Sequence, residues 1–209
     1  MTRKDNLVFY SRMCLFLAAF TGVYLEITKH GGFGMLLYYT VLSNLLVTIF
    51  TGYLLWKMRH DKNWQSTRIF RLKGGVTMSI MITCVIYHFM LAPIATDFYR
   101  LENFLCHYIV PLWFLADTLL FDKSRQYKWF DPILWTGLPL LYMSFAILNG
   151  LVLKMNIPNA KENPFPYFFL NANKYGWAFV FRWAFIIFIA YLVSGYIFYL
   201  IKSIKKSKS

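Results

Sequence analysis

Apolar residues gather along the chain in six blocks of about twenty, and polar residues gather between them. The blocks run over Leu7–Thr28, Gly34–Trp56, Val76–Thr96, Asn103–Phe121, Phe130–Leu153 and Trp177–Ile201. At 1.5 Å of rise per residue, a helix of this length crosses the ~30 Å hydrocarbon core of a bilayer. Lipid offers no water to satisfy backbone groups, so helices are the expected form. The pattern predicts an all-α polytopic membrane protein, with six transmembrane helices in one bundle and residues 1–209 as a single domain. No polar stretch is long enough to build a separate soluble domain. The first block has basic residues in front of it, as a signal peptide does. However, Arg12 interrupts the run and no A-x-A site follows, so it reads as a retained helix.

A net charge of +13 is compatible with a nucleic-acid partner until its distribution is considered. Fifteen Lys and Arg residues fall on one side of the blocks: Arg3, Lys4, Lys57, Arg59, Lys62, Arg68, Arg71, Lys73, Lys123, Arg125, Lys128, Lys202, Lys205, Lys206 and Lys208. The opposite loops hold five: Lys29, Arg100, Lys154, Lys161 and Lys174. The positive-inside rule then predicts that both termini are cytoplasmic. The basic loops are expected to meet anionic lipid head groups, with no nucleic acid as partner. Near that face, Arg12 is expected to snorkel outward and Asp117 to pair with a basic neighbour, both in structural roles. Cys14, Cys84 and Cys106 all lie inside blocks and read as buried, reduced and inert. No spacing of Cys and His resembles a metal site, and no phosphate-binding or zinc-protease motif occurs, so no metal or cofactor is expected.

The second block, around "YYTVLSNLLVTIF", carries a polar stripe of Thr40, Ser43, Asn44, Thr48 and Thr51 at helical spacing. Such a stripe predicts a face turned towards the bundle interior. Counting from Gly34, Thr40 lies six residues in, roughly 9 Å from the outer end. His107 lies four residues into the fourth block, roughly 6 Å in. The two are therefore expected at matched depth. Glu26, His88 and Arg182 fall at the same end and are expected to converge on one outer cavity, because ionisable groups in a membrane are costly without a role. Between the last two blocks, "NPFPYFFLNANKYGW" holds Pro164 and Pro166 amid aromatics, which predicts an ordered cap. In "CHYIVP", Pro111 removes the amide that would bond the His107 carbonyl, which predicts a loosened helix there.

A threonine in a membrane helix commonly bonds back to its own helix, and a histidine is commonly a satisfied core residue. Together, however, Thr40 and His107 supply a hydroxyl nucleophile and a base whose ordinary pKa is near ~6.5. Asn44, one turn on, and Ser43 are candidate oxyanion donors. Glu26, His88 and Arg182 are candidates for orienting the base or binding a carboxylate. Cys106 is a poorer nucleophile candidate, since adjacent helix residues point about 100° apart. Two other readings stand beside this one: a haem site with His88 and His107 as axial ligands, and a small lipid carrier or transporter with no chemistry.

Three motifs carry a resemblance that covers nearly the whole chain. "YYTVLSN" is similar to an aromatic-Thr-x-x-Ser-Asn block. "HYIVPLWFLADTLLF" is similar to His-x-x-x-Pro followed by Asp, and "PYFFLN" to Pro-Tyr-Pro-Phe-Leu-Asp. In these blocks and in its six spans the chain resembles the membrane proteins grouped with androgen-induced protein and androgen-dependent TFPI-regulating protein. The resemblance implies a threonine hydrolase, similar to enzymes that cleave fatty acid esters of hydroxy fatty acids, with Thr40 and His107 matching the catalytic pair and no cofactor. The third block is like the bacterial-type members, which implies a bacterial cytoplasmic membrane. The chain departs from the pattern at Phe168 and Asn171, which puts the particular lipid in question.

Overall fold

Six helices carry the apolar blocks: α1 (Arg3–His30), α2 (Tyr39–His60), α3 (Thr67–Ile94), α4 (Leu101–Phe121), α5 (Asp131–Leu153) and α6 (Trp177–Ser203). The structure is a computed structural model and describes residues 3–61, 64–95 and 98–204, apart from the side chain of Lys4. The expectations for Lys4, Lys62, Thr96, Lys205, Lys206 and Lys208 fall outside the described residues. All six helices are long and apolar enough to cross a membrane, which marks an integral membrane protein. No strand occurs among the described residues.

Helix α1 packs on α2 and α4, while α3 touches α2, α4, α5 and α6. Leu15 and Ala19 of α1 meet Val47 of α2, Val76 and Ile80 of α3, and Val110 and Phe114 of α4 in the central core. Helices α5 and α6 are the least enclosed and close one side of α3. Their outer faces carry exposed Leu141, Phe181, Phe185 and Ile189, as lipid-facing surfaces do.

Near the end that holds the termini, four helices meet over buried charge. Arg12 of α1 donates from Nε to both Asp117 oxygens at 3.1 Å and from a guanidinium NH2 to Asp122 at 3.1 Å. Lys73 of α3 bonds Asp117 and reaches Asp122 at 2.8 Å. Lys202 of α6 donates to the carbonyls of Thr118 at 3.0 Å and Asp122 at 2.7 Å. The Arg12 guanidinium also lies over the Trp64 ring, 5.1 Å from its centroid. The expected pairing of Asp117 with a basic neighbour is present. Arg12 does not snorkel: its side chain is 1% exposed, because two carboxylates inside the bundle outcompete distant head groups. Lys73, which the block boundaries put in a loop, lies well inside α3, since that helix begins at Thr67 rather than Val76. Arg71 lies in α3 too and pairs with Asp131 of α5 at 2.5 Å. Lys202, expected in the tail, is buried in the last turn of α6. Among the cysteines, Cys84 and Cys106 are buried and Cys14 is exposed on its helix, contrary to the expectation for Cys14.

At the opposite end a loop between α5 and α6 forms a hydrogen-bonded cap. Asn149 donates to the carbonyls of Met155 at 3.2 Å and Pro164 at 2.8 Å. Tyr38 donates to the Pro158 carbonyl at 2.8 Å, and Asn159 donates to the His30 carbonyl at 2.7 Å. Pro158 presses on Gly31, where an added Cβ would lie 2.2 Å from its ring and where φ is +146°. Phe165 sits on Gly150 just as closely, at 2.1 Å from an added Cβ. Burial works against ionisation of Glu162, but hydrogen bonds from Lys174, Asn171 and Tyr175 hold its carboxyl below the usual range.

The charge cluster predicts that Asp117→Asn, which leaves Arg12 and Lys73 short of a carboxylate, costs about 3–5 kcal/mol. Lys57→Ala, which breaks a solvent-accessible pair with Asp61, should leave stability almost unchanged. Unfolding of the two variants in detergent micelles measures the contrast. For the cap, the folded pKa of Glu162 is depressed, so its contribution is present above the ordinary value of 4.5 and lost as pH falls through the folded value. Proteolysis within residues 154–176 should accelerate as pH drops below that ordinary value, and Glu162→Gln should remove the acid dependence.

Candidate active site

The polar stripe on α2 is the interior face that its spacing predicts. Ser43, Asn44, Thr48 and Thr51 are buried, and Thr48 bonds back to the Asn44 carbonyl at 2.9 Å. Thr40 behaves differently because α2 starts later than the apolar block does. A 3₁₀ turn, Gly32–Leu37, precedes it, and Tyr38 in extended conformation begins the helix. Thr40 is therefore the second residue of α2, not six residues deep. No side chain caps this helix start from Tyr38, so its first amides are orphan donors.

His107 lies in a π-helical turn, Leu105–Ile109, inside α4. Such turns are frequent at functional sites. The register decides which carbonyl Pro111 frees. The Val110 amide bonds the Leu105 carbonyl, five residues back. In that register Pro111 would serve Cys106, not His107, and a proline has no N–H to give. The orphaned Cys106 carbonyl is taken by Asn44, which donates to it at 3.0 Å. The second amide hydrogen of Asn44 goes to the Thr40 carbonyl at 2.8 Å. Asn44 thus brackets α2 to α4 at the residue before His107.

Across that bracket Thr40 Oγ1 and His107 Nε2 are 3.3 Å apart. His107 Nδ1 lies 3.0 Å from the Asn103 carbonyl. A carbonyl only accepts, so Nδ1 carries the proton, and Nε2 of the neutral ring is the acceptor for the Thr40 hydroxyl. The ring is held further by Tyr87, stacked on its face at a centroid distance of 3.7 Å. Asn103 in turn donates to Tyr87 Oη at 2.6 Å and to the Phe98 carbonyl at 2.8 Å. The result is a hydroxyl, a base in the correct tautomer and a backbone carbonyl in the orienting position.

The other candidates divide. Asn44 has spent both donors on carbonyls, and its free buried atom is the acceptor Oδ1, so it has nothing to offer an oxyanion. Ser43 lies 2.8 Å from Thr83 Oγ1 and 3.1 Å from the Thr40 carbonyl, which engages its single proton. Glu26 is buried in the charged neighbourhood of His30, Arg100 and Glu102 at the cap end of α1 and α4. There Glu102 binds His30 at 2.8 Å and Lys29 at 3.5 Å. His88 is exposed and contacts Tyr108 at 3.3 Å. Arg182 is exposed on α6 over the Phe179 ring. Neither joins Thr40, because their helical positions face outward and not into the bundle. His88 and His107 also fail to face one another as axial ligands: both His107 nitrogens are engaged and Tyr87 covers its ring. Asn171 faces the cap rather than the site, donating to Glu162 at 2.6 Å and accepting from the Lys174 amide at 3.1 Å.

Tyr167 is the residue that spacing does not reveal. Its ring packs against Tyr38 at 6.0 Å and Tyr142 at 6.4 Å between centroids, and it lines the same cavity as Thr40. It arrives from the cap, more than a hundred residues away in sequence, and its only sequence signal is its place in "PYFFLN". Thr40 and Tyr167 open onto a cavity walled mainly by apolar groups of α3, α5 and α6. Its lining on α6 runs from Ala184 to Tyr191. The latter lies fourteen residues past Trp177, roughly 20 Å along the helix. Its apolar lining and its length along α6 suit an aliphatic ligand. Compared with family models, curated proteins and solved structures, the chain matches none.

Proposed function

We propose that the protein is an integral membrane lipid ester hydrolase, with Thr40 as nucleophile and His107 as general base. The observation that carries this reading is the Thr40–His107 contact at 3.3 Å, with the tautomer of His107 set by the Asn103 carbonyl. The cavity beside Thr40 supports a substrate with a long acyl chain. The resemblance in "YYTVLSN" and "HYIVP" supports the same pair and a fatty ester as substrate. Its charge bias supports cytoplasmic termini, with the site at the outer leaflet, and the third block supports a bacterial cytoplasmic membrane.

In the proposed reaction the ester enters between helices and lays its acyl chain in the cavity. His107 Nε2 takes the Thr40 proton as Oγ1 bonds to the ester carbonyl carbon. Collapse expels the alcohol, which takes that proton back from Nε2. Water, deprotonated by the same nitrogen, then releases the acid from the acyl-threonine.

The purified protein should hydrolyse branched and simple fatty esters, and a fluorophosphonate probe should label Thr40. Thr40→Ala should abolish both, and His107→Ala should lower kcat by about 10²–10⁴-fold. Full hydrolysis by Thr40→Ala sinks the assignment, and no hydrolysis or labelling of the wild type favours a lipid carrier. Ala184→Trp, which fills the cavity, should depress kcat/KM for long-chain esters while sparing short ones; equal effects on both would place the acyl chain elsewhere.

A further inference from the structure

We propose that Tyr167 is a further catalytic residue, its hydroxyl donating the hydrogen bond that stabilises the oxyanion formed when Thr40 attacks an ester. This rests on the hydrolase reading above. Acyl transfer needs a donor about 3 Å from the place where negative charge develops. The side chains that spacing nominates for this do not have a proton to give. Asn44 has committed both amide hydrogens to carbonyls, and Ser43 its one proton to Thr40 or Thr83. His107 holds its Nδ1 proton on Asn103.

Tyr167 meets each requirement that they fail. Its side chain lines the same cavity as Thr40 and its ring packs on Tyr38 at the start of α2, so a carbonyl seated there for attack lies against it. The start of α2 lies beside the ring, and the positive end of the helix favours the negative charge that develops there. The ring is fixed by stacking on Phe169 at 5.2 Å and by an edge contact with Tyr38 at 6.0 Å. Neighbouring Tyr142 is a weaker candidate, because its hydroxyl donates to the Leu37 carbonyl at 2.8 Å. Burial raises the Tyr167 phenol above its ordinary range, so the group keeps its proton at neutral pH and serves as a donor, not as a base.

The step balances without a co-reactant. The Thr40 oxygen forms the new bond to the carbonyl carbon, its proton goes to His107 Nε2, and the π pair moves onto the carbonyl oxygen. Tyr167 donates its O–H to that oxygen and keeps its proton. When the pair returns, the alkoxide leaves and is protonated from Nε2.

The test compares the purified full-length wild type with Tyr167→Phe on a 4-nitrophenyl long-chain ester in detergent. The expected result is a kcat lower by about 10²–10³-fold, with KM changed by less than about threefold and the unfolding midpoint retained. A fluorophosphonate should still label Thr40 to completion, only more slowly. Incorporation of 3-fluorotyrosine at position 167 keeps the hydroxyl and should restore kcat to within about tenfold of wild type, as a donor role requires. A Tyr167→Phe variant with wild-type kcat overturns this inference and leaves the hydrolase reading standing. So does a fluorotyrosine variant as slow as Tyr167→Phe, which points to packing. A wild type inert to esters and unlabelled at Thr40 overturns both.

Discussion

Two carboxylates and three cations, gathered where α1, α3, α4 and α6 meet, set the register of the bundle. Asp117 and Asp122 are each shared by Arg12 and Lys73, and Lys202 closes the end of α4 by binding its carbonyls. Sliding any of these helices by one turn, about 5.4 Å, would strand a charge among apolar side chains. Dispersion among Leu15, Val47, Ile80 and Phe114 tolerates many registers, whereas buried ions held by specific partners tolerate one. The cluster lies at the opposite end of the bundle from Thr40. It fixes the site by fixing the helices that carry it.

At the other end the same rule operates on neutral groups. A membrane interior demands that every backbone carbonyl find a donor. Pro111 breaks that rule within α4, and Asn44 of α2 restores it. The repair creates a fixed distance between two helices, and Thr40 and His107 are the residues next to the repaired point. The candidate catalytic contact is thus a by-product of hydrogen-bond satisfaction, with the π-helical turn supplying the extra residue that aims His107 at α2. Helix α3 also has a π-helical turn near its end, Tyr87–Leu91, whose first residue is the ring stacked on His107.

The six spans were legible because an apolar run of membrane length is a local property of the chain. The interior face of α2 was legible for the same reason, since Ser43, Asn44, Thr48 and Thr51 repeat within a few residues. Lys73 and Lys202 were not legible as buried. Their partners lie 44 and more residues away, and nothing beside a lysine announces a distant aspartate. Matched depth brought Thr40 and His107 together in the sequence for a partly mistaken reason, because the glycines before Tyr38 form a 3₁₀ turn and α2 starts late. The identity of the freed carbonyl depended on a five-residue register that composition does not encode. Tyr167 was hidden because a cap folded by Asn149, Pro158 and Phe165 delivers it, and a loop has no period to read.

The buried cluster also constrains how the chain is made. Arg12 and Asp117 are separated by 105 residues. At synthesis rates of ~5–20 residues per second, that gap lasts roughly 5–20 s. For that interval α1 has left the ribosome with a guanidinium whose partner does not yet exist. An unpaired guanidinium is costly in lipid, so burial of Arg12 has to await α4. Pairing of Arg12 is therefore completed only after α4 is made, although α1 precedes it in the chain.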